Sequence, residues 1–117
     1  MAEHLETGKK GEYLAAGWLV KQSYTIIEQN WRYQHYELDI IAEKGGVLHF
    51  IEVKTLHSTR YSFPEAKAGK TKIRYMISAA EAYIRRYPKW KRIQFDIVSV
   101  TLEKEEPAYF LVEDVFV

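Results

Sequence analysis

The stretch ELDIIAEKGGVLHFIEVKT, residues 37–55, sets acids and a lysine where two β-strands would be expected to carry apolar side chains. Asp39 interrupts the run Leu38, Ile40, Ile41, and Glu52 and Lys54 alternate with Ile51 and Val53. Gly45-Gly46, between the arms, is the tightest turn signal in the chain, so the stretch reads as a β-hairpin. With those glycines as the loop, Lys44 faces Val47, Asp39 faces Glu52 and Glu37 faces Lys54. Facing residues share one side of a sheet, with Cβ atoms about 4.5–5.5 Å apart. Glu37, Asp39, Glu52 and Lys54 are therefore expected together at the end far from the turn, on the side of Ile41 and Phe50. Leu38, Ile40, Ile51 and Val53 point the other way and supply a core. A slip of one residue would undo the arrangement.

Two facing carboxylates repel unless a cation lies between them. Hard oxygen donors suit Mg²⁺ or Mn²⁺, and Mg²⁺ takes few protein carboxylates, leaving positions for substrate phosphate. Lys54, two residues beyond Glu52, can reach what the metal holds. An acid pair with a lysine beside it suits phosphodiester hydrolysis, with the metal polarising the phosphate and the lysine meeting developing charge. The plainer reading is a cross-strand ion pair of Glu37 with Lys54, the remaining acids being solvated. Glu12 adds a third acid. It shares a helix face with Ala15, Ala16 and Leu19, so it lies on a stripe that should pack against the sheet. It could serve the metal, or simply complement the helix dipole.

The elements that must position these groups follow from periodicity. A helix is predicted over about 7–21, with Thr7 as N-cap and Leu14, Trp18 and Leu19 at helical spacing. Strands are predicted at 24–33, along both hairpin arms, at 92–102 and at 108–116. Residues 56–69 read as a loop. A second helix is expected from Lys70 to Tyr87, with Ile73, Met76, Ile77, Ala80 and Ile84 in one stripe, stopped by Pro88. The order αβββαβ(β) implies an α/β protein, a central mixed sheet flanked by helices, and the 117 residues are expected to form one domain.

Charge is divided unevenly. Residues 54–92 carry eleven basic and two acidic side chains, whereas the chain as a whole is +1. That segment interleaves Tyr61, Phe63, Tyr75, Tyr83, Tyr87 and Trp90, a mixture compatible with phosphate contact and base stacking. Lys70, Arg74, Arg85 and Arg86 are either a solvated face or a nucleic-acid surface. The absence of cysteine excludes disulfides and thiolate chemistry. No apolar stretch approaches a membrane span and no signal-peptide core is evident, so a cytoplasmic protein without membrane attachment is expected. His35, His49 and His57 share no ligand spacing with the acids and are read as structural, His57 being the nearest to any substrate. Asp96 is read as structural or as a supporting acid.

Asp39 followed by Glu52-Val53-Lys54, preceded by a helical glutamate and followed by a basic helix, resembles the PD-(D/E)xK nuclease superfamily. More closely, the chain resembles the uncharacterised YraN-like bacterial family, considered similar to archaeal Holliday-junction resolvases. The resemblance runs nearly end to end, through GKKGEYLAAGWL, IIEQNWRY, ELDIIA, FIEVKT, KIRYMISAAEAYI, FDIVSV and VEDVF. It implies a restriction-endonuclease-like fold, with Asp39 and Glu52 as metal-binding acids, Val53 a ligand through its carbonyl, and Lys54 the catalytic lysine. Glu12 matches the extra helical acid of the resolvase-like branch, and Lys72 the basic residue that opens the second helix. Tyr36, Leu56 and Gln94 depart from the pattern, standing where glycine, arginine and arginine are usual. The function this implies is a Mg²⁺- or Mn²⁺-dependent endonuclease acting on branched or structured DNA, without a small-molecule cofactor and possible as a homodimer. The alternatives are a nucleic-acid-binding module that keeps the fold without cutting, and a protein-interaction domain that uses a sheet edge.

Overall fold

In the computed structural model, which describes residues 2–57, 70–103 and 105–115, with side chains over 8–57, 72–102 and 105–115, seven elements follow one another. They are α1 (Ala2–Lys21), β1 (Thr25–Tyr33), β2 (Tyr36–Lys44), β3 (Val47–Leu56), α2 (Lys70–Arg86), β4 (Ile93–Glu103) and β5 (Glu106–Val112). The expected order is observed, and most of the predicted 56–69 loop lies outside the described residues. Two elements differ in extent, and β5 ends at Val112 instead of at 116. α1 begins at Ala2, so Thr7 lies within the helix instead of capping it; nothing in Ala-Glu-His-Leu-Glu stops a helix. β5 begins at Glu106 and takes in Pro107, which an edge strand tolerates because it has only one ladder to serve.

The sheet runs β1-β2-β3-β4-β5, antiparallel throughout except for the parallel pair β3–β4. That parallel step needs a crossover, and the segment carrying α2 supplies it. Gly45 and Gly46 hold φ of 60° and 80°, the left-handed pair that a two-residue hairpin turn requires. The Gly46 N–H donates to the Glu43 carboxylate at 2.8 Å. The resulting register, Lys44↔Val47 through Ile40↔Ile51, is the one the glycines predicted.

Each sheet face has its own helix and core. Ala15, Ala16 and Leu19 of α1 pack with Ile40, Ala42, Ile51, Val98 and Val100. Met76, Ala79, Ala80 and Tyr83 of α2 pack with Leu38, Ile41, Leu48 and Phe50. Leu38 is thus on the side of Ile41, not of Ile40 as strict alternation predicted. Alternation breaks at Asp39, next to Asn30 of β1, whose φ of 52° kinks the neighbouring strand. α2 is also rotated from the expected stripe. Ile77 is exposed, and Tyr83 takes the interior, where its ring meets the edges of Trp31 and Phe50. Among the described residues no helix is long and apolar enough to cross a membrane.

Candidate active site

α1 lies unusually close to β3 because Gly11 has no side chain. A Cβ built there would fall 1.9 Å from Thr55 Oγ1. This contact seats the middle of α1 against the far end of the hairpin and places the next residue, Glu12, over it. Across the gap, the β2–β3 ladder runs only to Ile40↔Ile51. Beyond it, the Val53 N–H donates to Asp39 Oδ2 at 2.9 Å, a side-chain oxygen taking the place of a main-chain acceptor. The hairpin therefore opens at Asp39, and acids fill the opening.

Four carboxylates meet there. One oxygen each of Glu12, Glu37 and Asp39 lies within 4.8 Å of the others. Asp39 also shares a side-chain hydrogen bond with Glu52, which is buried. Burial, then the charge of Glu52, pushes the Asp39 carboxyl up to about 8, against the lowering effect of the Val53 N–H. Glu12 is raised as well, by burial and then by Glu37, while a hydrogen bond from Asn30 opposes the rise. Such a site holds protons that the same carboxyls would shed in water.

One lysine bonds the acids and a second follows on the strand of Glu52. Lys54 is half-buried on the strand of Glu52 and pairs in register with Ser99 of β4. Ser99 Oγ is buried and has no hydrogen-bond partner among the described residues. Lys72 Nζ donates to Glu52 Oε2 at 2.9 Å. Partial burial works against the Lys72 charge, but the Glu52 carboxylate outweighs it and raises the ammonium. Lys72, expected as the basic residue that opens the second helix, lies against the acids, because the first turn of α2 opens directly over Glu52.

The remaining expected residues divide clearly. Arg74 and Arg85 are exposed on α2, whereas the side chain of Lys70, the first residue of that helix, lies outside the described set. Glu37 bonds Arg32, its β1 neighbour in register, at 3.0 Å. Glu37's place in the carboxylate group was implicit in the facing-pair rule, whereas nothing in the sequence pointed to Asn30 or to the Lys72–Glu52 contact. Asp96 is structural, as is His49. Asp96 is fully buried and accepts from His49 Nδ1 at 2.6 Å, Gln94 Nε2 at 2.9 Å and the Asp114 N–H at 2.8 Å, tying the last described segment to β4. His35 and His57 are exposed. A groove of about 360 Å³ along the outer side of α1, bordered by Tyr13, Trp18 and Tyr109, contains none of the four acids.

The donor set is compatible with one small divalent ion. Ligand distances of about 2.0–2.6 Å put two oxygens of one ion at most about 5 Å apart, and the Glu12, Glu37 and Asp39 oxygens meet that limit. The ammonium of Lys72 on Glu52 is itself a cation drawn to this cluster.

A mixed five-stranded sheet with one helix on each face is an α/β fold compatible with the restriction-endonuclease-like class. The profile of the uncharacterised protein family UPF0102 matches residues 11–100, and the chain belongs to that family, the YraN-like one. It is 40% identical over 116 residues to a UPF0102 protein of Phocaeicola vulgatus, covering 99% of this chain and 96% of the relative. A UPF0102 protein of Flavobacterium psychrophilum is 38% identical over 116 residues, covering 99% and 98%. One from Koribacter versatilis is 39% identical over 116 residues, covering 97% and 81%.

Proposed function

We propose that the chain is a metal-dependent endodeoxyribonuclease of the PD-(D/E)xK superfamily, selective for DNA structure more than sequence, in the manner of Holliday-junction resolvases. The observation that carries this reading is the convergence of Glu12, Glu37, Asp39 and Glu52 where the hairpin opens, with Lys72 bonded to Glu52 and Lys54 two residues further along the same strand. A Mg²⁺ or Mn²⁺ bound there would polarise the scissile phosphate. Asp39 and Glu52 would be its principal holders, with the Val53 carbonyl as a further ligand that the resemblance implies. Glu12, raised by its buried setting, is suited to hold a proton and orient the attacking water. Lys54, on the strand of Glu52, is placed to meet charge developing on the phosphate. Arg74 and Arg85, exposed on α2, supply sequence-independent backbone contacts, together with Lys70. Acting on chromosomal DNA would place the protein in the cytoplasm, and symmetric cleavage of a four-way junction would require two copies.

A second reading draws on the Lys72–Glu52 contact and on the Val53 N–H at Asp39, which partly compensate the acids without a metal. In that reading the fold binds nucleic acid and does not cut it. One experiment separates the two. Wild type and Asp39→Ala are incubated with branched, nicked and single-stranded DNA in Mn²⁺, and Mn²⁺ binding is measured by calorimetry. The nuclease reading expects Mn²⁺ binding and cleavage by wild type alone. DNA binding with neither metal uptake nor cleavage would favour the binding module.

A further inference from the structure

Beside the acids lies a second feature that the nuclease chemistry does not use. β1 and β2 are joined by the two residues Gln34 and His35, and Tyr33 faces Tyr36 across that turn. The rings of Tyr33 and Tyr36 are 6.5 Å apart and 23° from parallel. His35 lies 4.3 Å from Tyr36, and Tyr75 of α2 lies 5.1 Å from Tyr36 and 5.6 Å from His35. These rings are not in the core: Tyr33 is 37% and Tyr75 41% exposed, His35 is exposed and Tyr36 half-buried. They are nevertheless anchored to it. Tyr33 is stacked 6.4 Å from Trp31 at 5°, and Trp31 meets the buried Tyr83 edge-on at 5.1 Å.

Position gives this cluster its meaning. Tyr36 immediately precedes Glu37 of the acid group, and Tyr75 is one helical turn beyond Lys72, which bonds Glu52. Arg74 adjoins Tyr75, within the segment 54–92 that carries eleven basic and two acidic residues. Exposed aromatic faces in a basic setting favour nucleobases, since every base has a π-face and stacking is sequence-tolerant. In a duplex those faces are covered by neighbouring bases; only an unpaired or splayed nucleotide presents them. The anchoring through Trp31 to Tyr83 pre-organises the rings, which lowers the entropy lost on binding.

We infer that Tyr33, His35, Tyr36 and Tyr75 form a stacking platform for an unpaired nucleobase adjoining the phosphate held at the acids. The preferred substrate is then nucleic acid with unpaired nucleotides at the cleavage point, such as a flap, an overhang or an open junction arm. This rests on the nuclease reading for the location of the phosphate, but its test does not depend on cleavage.

The probe is 2-aminopurine placed in the overhang of a partly single-stranded DNA, titrated with protein in Ca²⁺. Wild type is expected to quench the fluorophore, while Tyr75→Ala and Tyr36→Gly relieve the quenching. Each variant should weaken overhang binding by about tenfold or more, with fully paired duplex affinity unchanged within about twofold. Tyr75→Leu keeps apolar bulk against Tyr36 and should behave like Tyr75→Ala in quenching, which separates stacking from packing; thermal melts verify folding. Equal losses on paired and overhang DNA, or quenching that survives all three substitutions, would overturn the platform and leave the acid site untouched. Absence of binding to either DNA would overturn the platform and both nucleic-acid readings together.

Discussion

Replacing Asp39 by asparagine keeps the shape of the side chain and an oxygen for the Val53 N–H, and removes one charge from the acid group. The amide mimics a protonated Asp39, so the comparison reads the cost of ionising that position in the folded protein. Its carboxyl is raised by burial and by Glu52 from 3.8 to about 8. A raised carboxyl binds its proton more tightly folded than unfolded, so the stability it lends is complete below about pH 4 and is lost as pH rises through about 8. The interval sets a ceiling of about 6 kcal/mol. Lys72, bonded to Glu52, offsets part of the repulsion, so a gain on the order of 2 kcal/mol is expected for the variant at pH 8.5. Near pH 4 the two proteins should be equally stable. The assay is urea unfolding in EDTA at pH 4.0, 6.0 and 8.5. Excess Mn²⁺ at pH 8.5 should reverse the order, because a ligand at a hundred times its Kd adds about 2.7 kcal/mol to the protein that binds it. A variant less stable than wild type at pH 8.5 without metal, or a difference that ignores pH, would refute the reasoning and return Asp39 to a structural role.

Four other outcomes are expected. Gly11→Ala should lower stability by about 1–3 kcal/mol, because its Cβ would meet Thr55, and Thr55→Ala in the same chain should restore part of the loss; an unaltered melting temperature would contradict the close approach. Lys54→Ala should slow single-turnover cleavage of branched DNA in Mn²⁺ by about a hundredfold or more, while affinity in Ca²⁺ changes by no more than one phosphate contact; equal cleavage by both proteins would point to a contaminating nuclease. Lys72→Gln should cost about 1 kcal/mol or less in metal-free stability, since the lysine is half-exposed, and should tighten Mn²⁺ binding as seen by calorimetry; weaker Mn²⁺ binding would make Lys72 a support of the metal site and not its competitor. Reversing the charge at Arg74 and Arg85 should weaken duplex binding and flatten its salt dependence by about 0.9 log units per lost phosphate contact, leaving Mn²⁺ affinity unchanged.

The hairpin, its register and the proximity of Asp39 to Glu52 were legible in the sequence because a two-glycine turn leaves one way to count. Positive φ at Gly45 and Gly46 fixes the first pair, and a strand's period of two carries the consequence along both arms. The element order and the inward face of α1 were legible for a like reason, since apolar spacing is a local property of the chain. What the sequence could not hold is how far that counting remains valid. Alternation fails at Asp39, where β2 leaves β3 and runs beside the kink at Asn30, so Leu38 changes sides. Glu37 bonds Arg32, and Lys72, far along the chain, reaches Glu52. The rotation of α2 that buries Tyr83 and exposes Ile77 is equally unreadable from periodicity, because both lie within one broad apolar arc and the choice depends on the rings opposite. Residue identity thus determined which groups could carry the chemistry. Tertiary contact between segments far apart in the chain decided which of them meet, because charge pairing and ring packing depend on distances that only the assembled sheet and helices set.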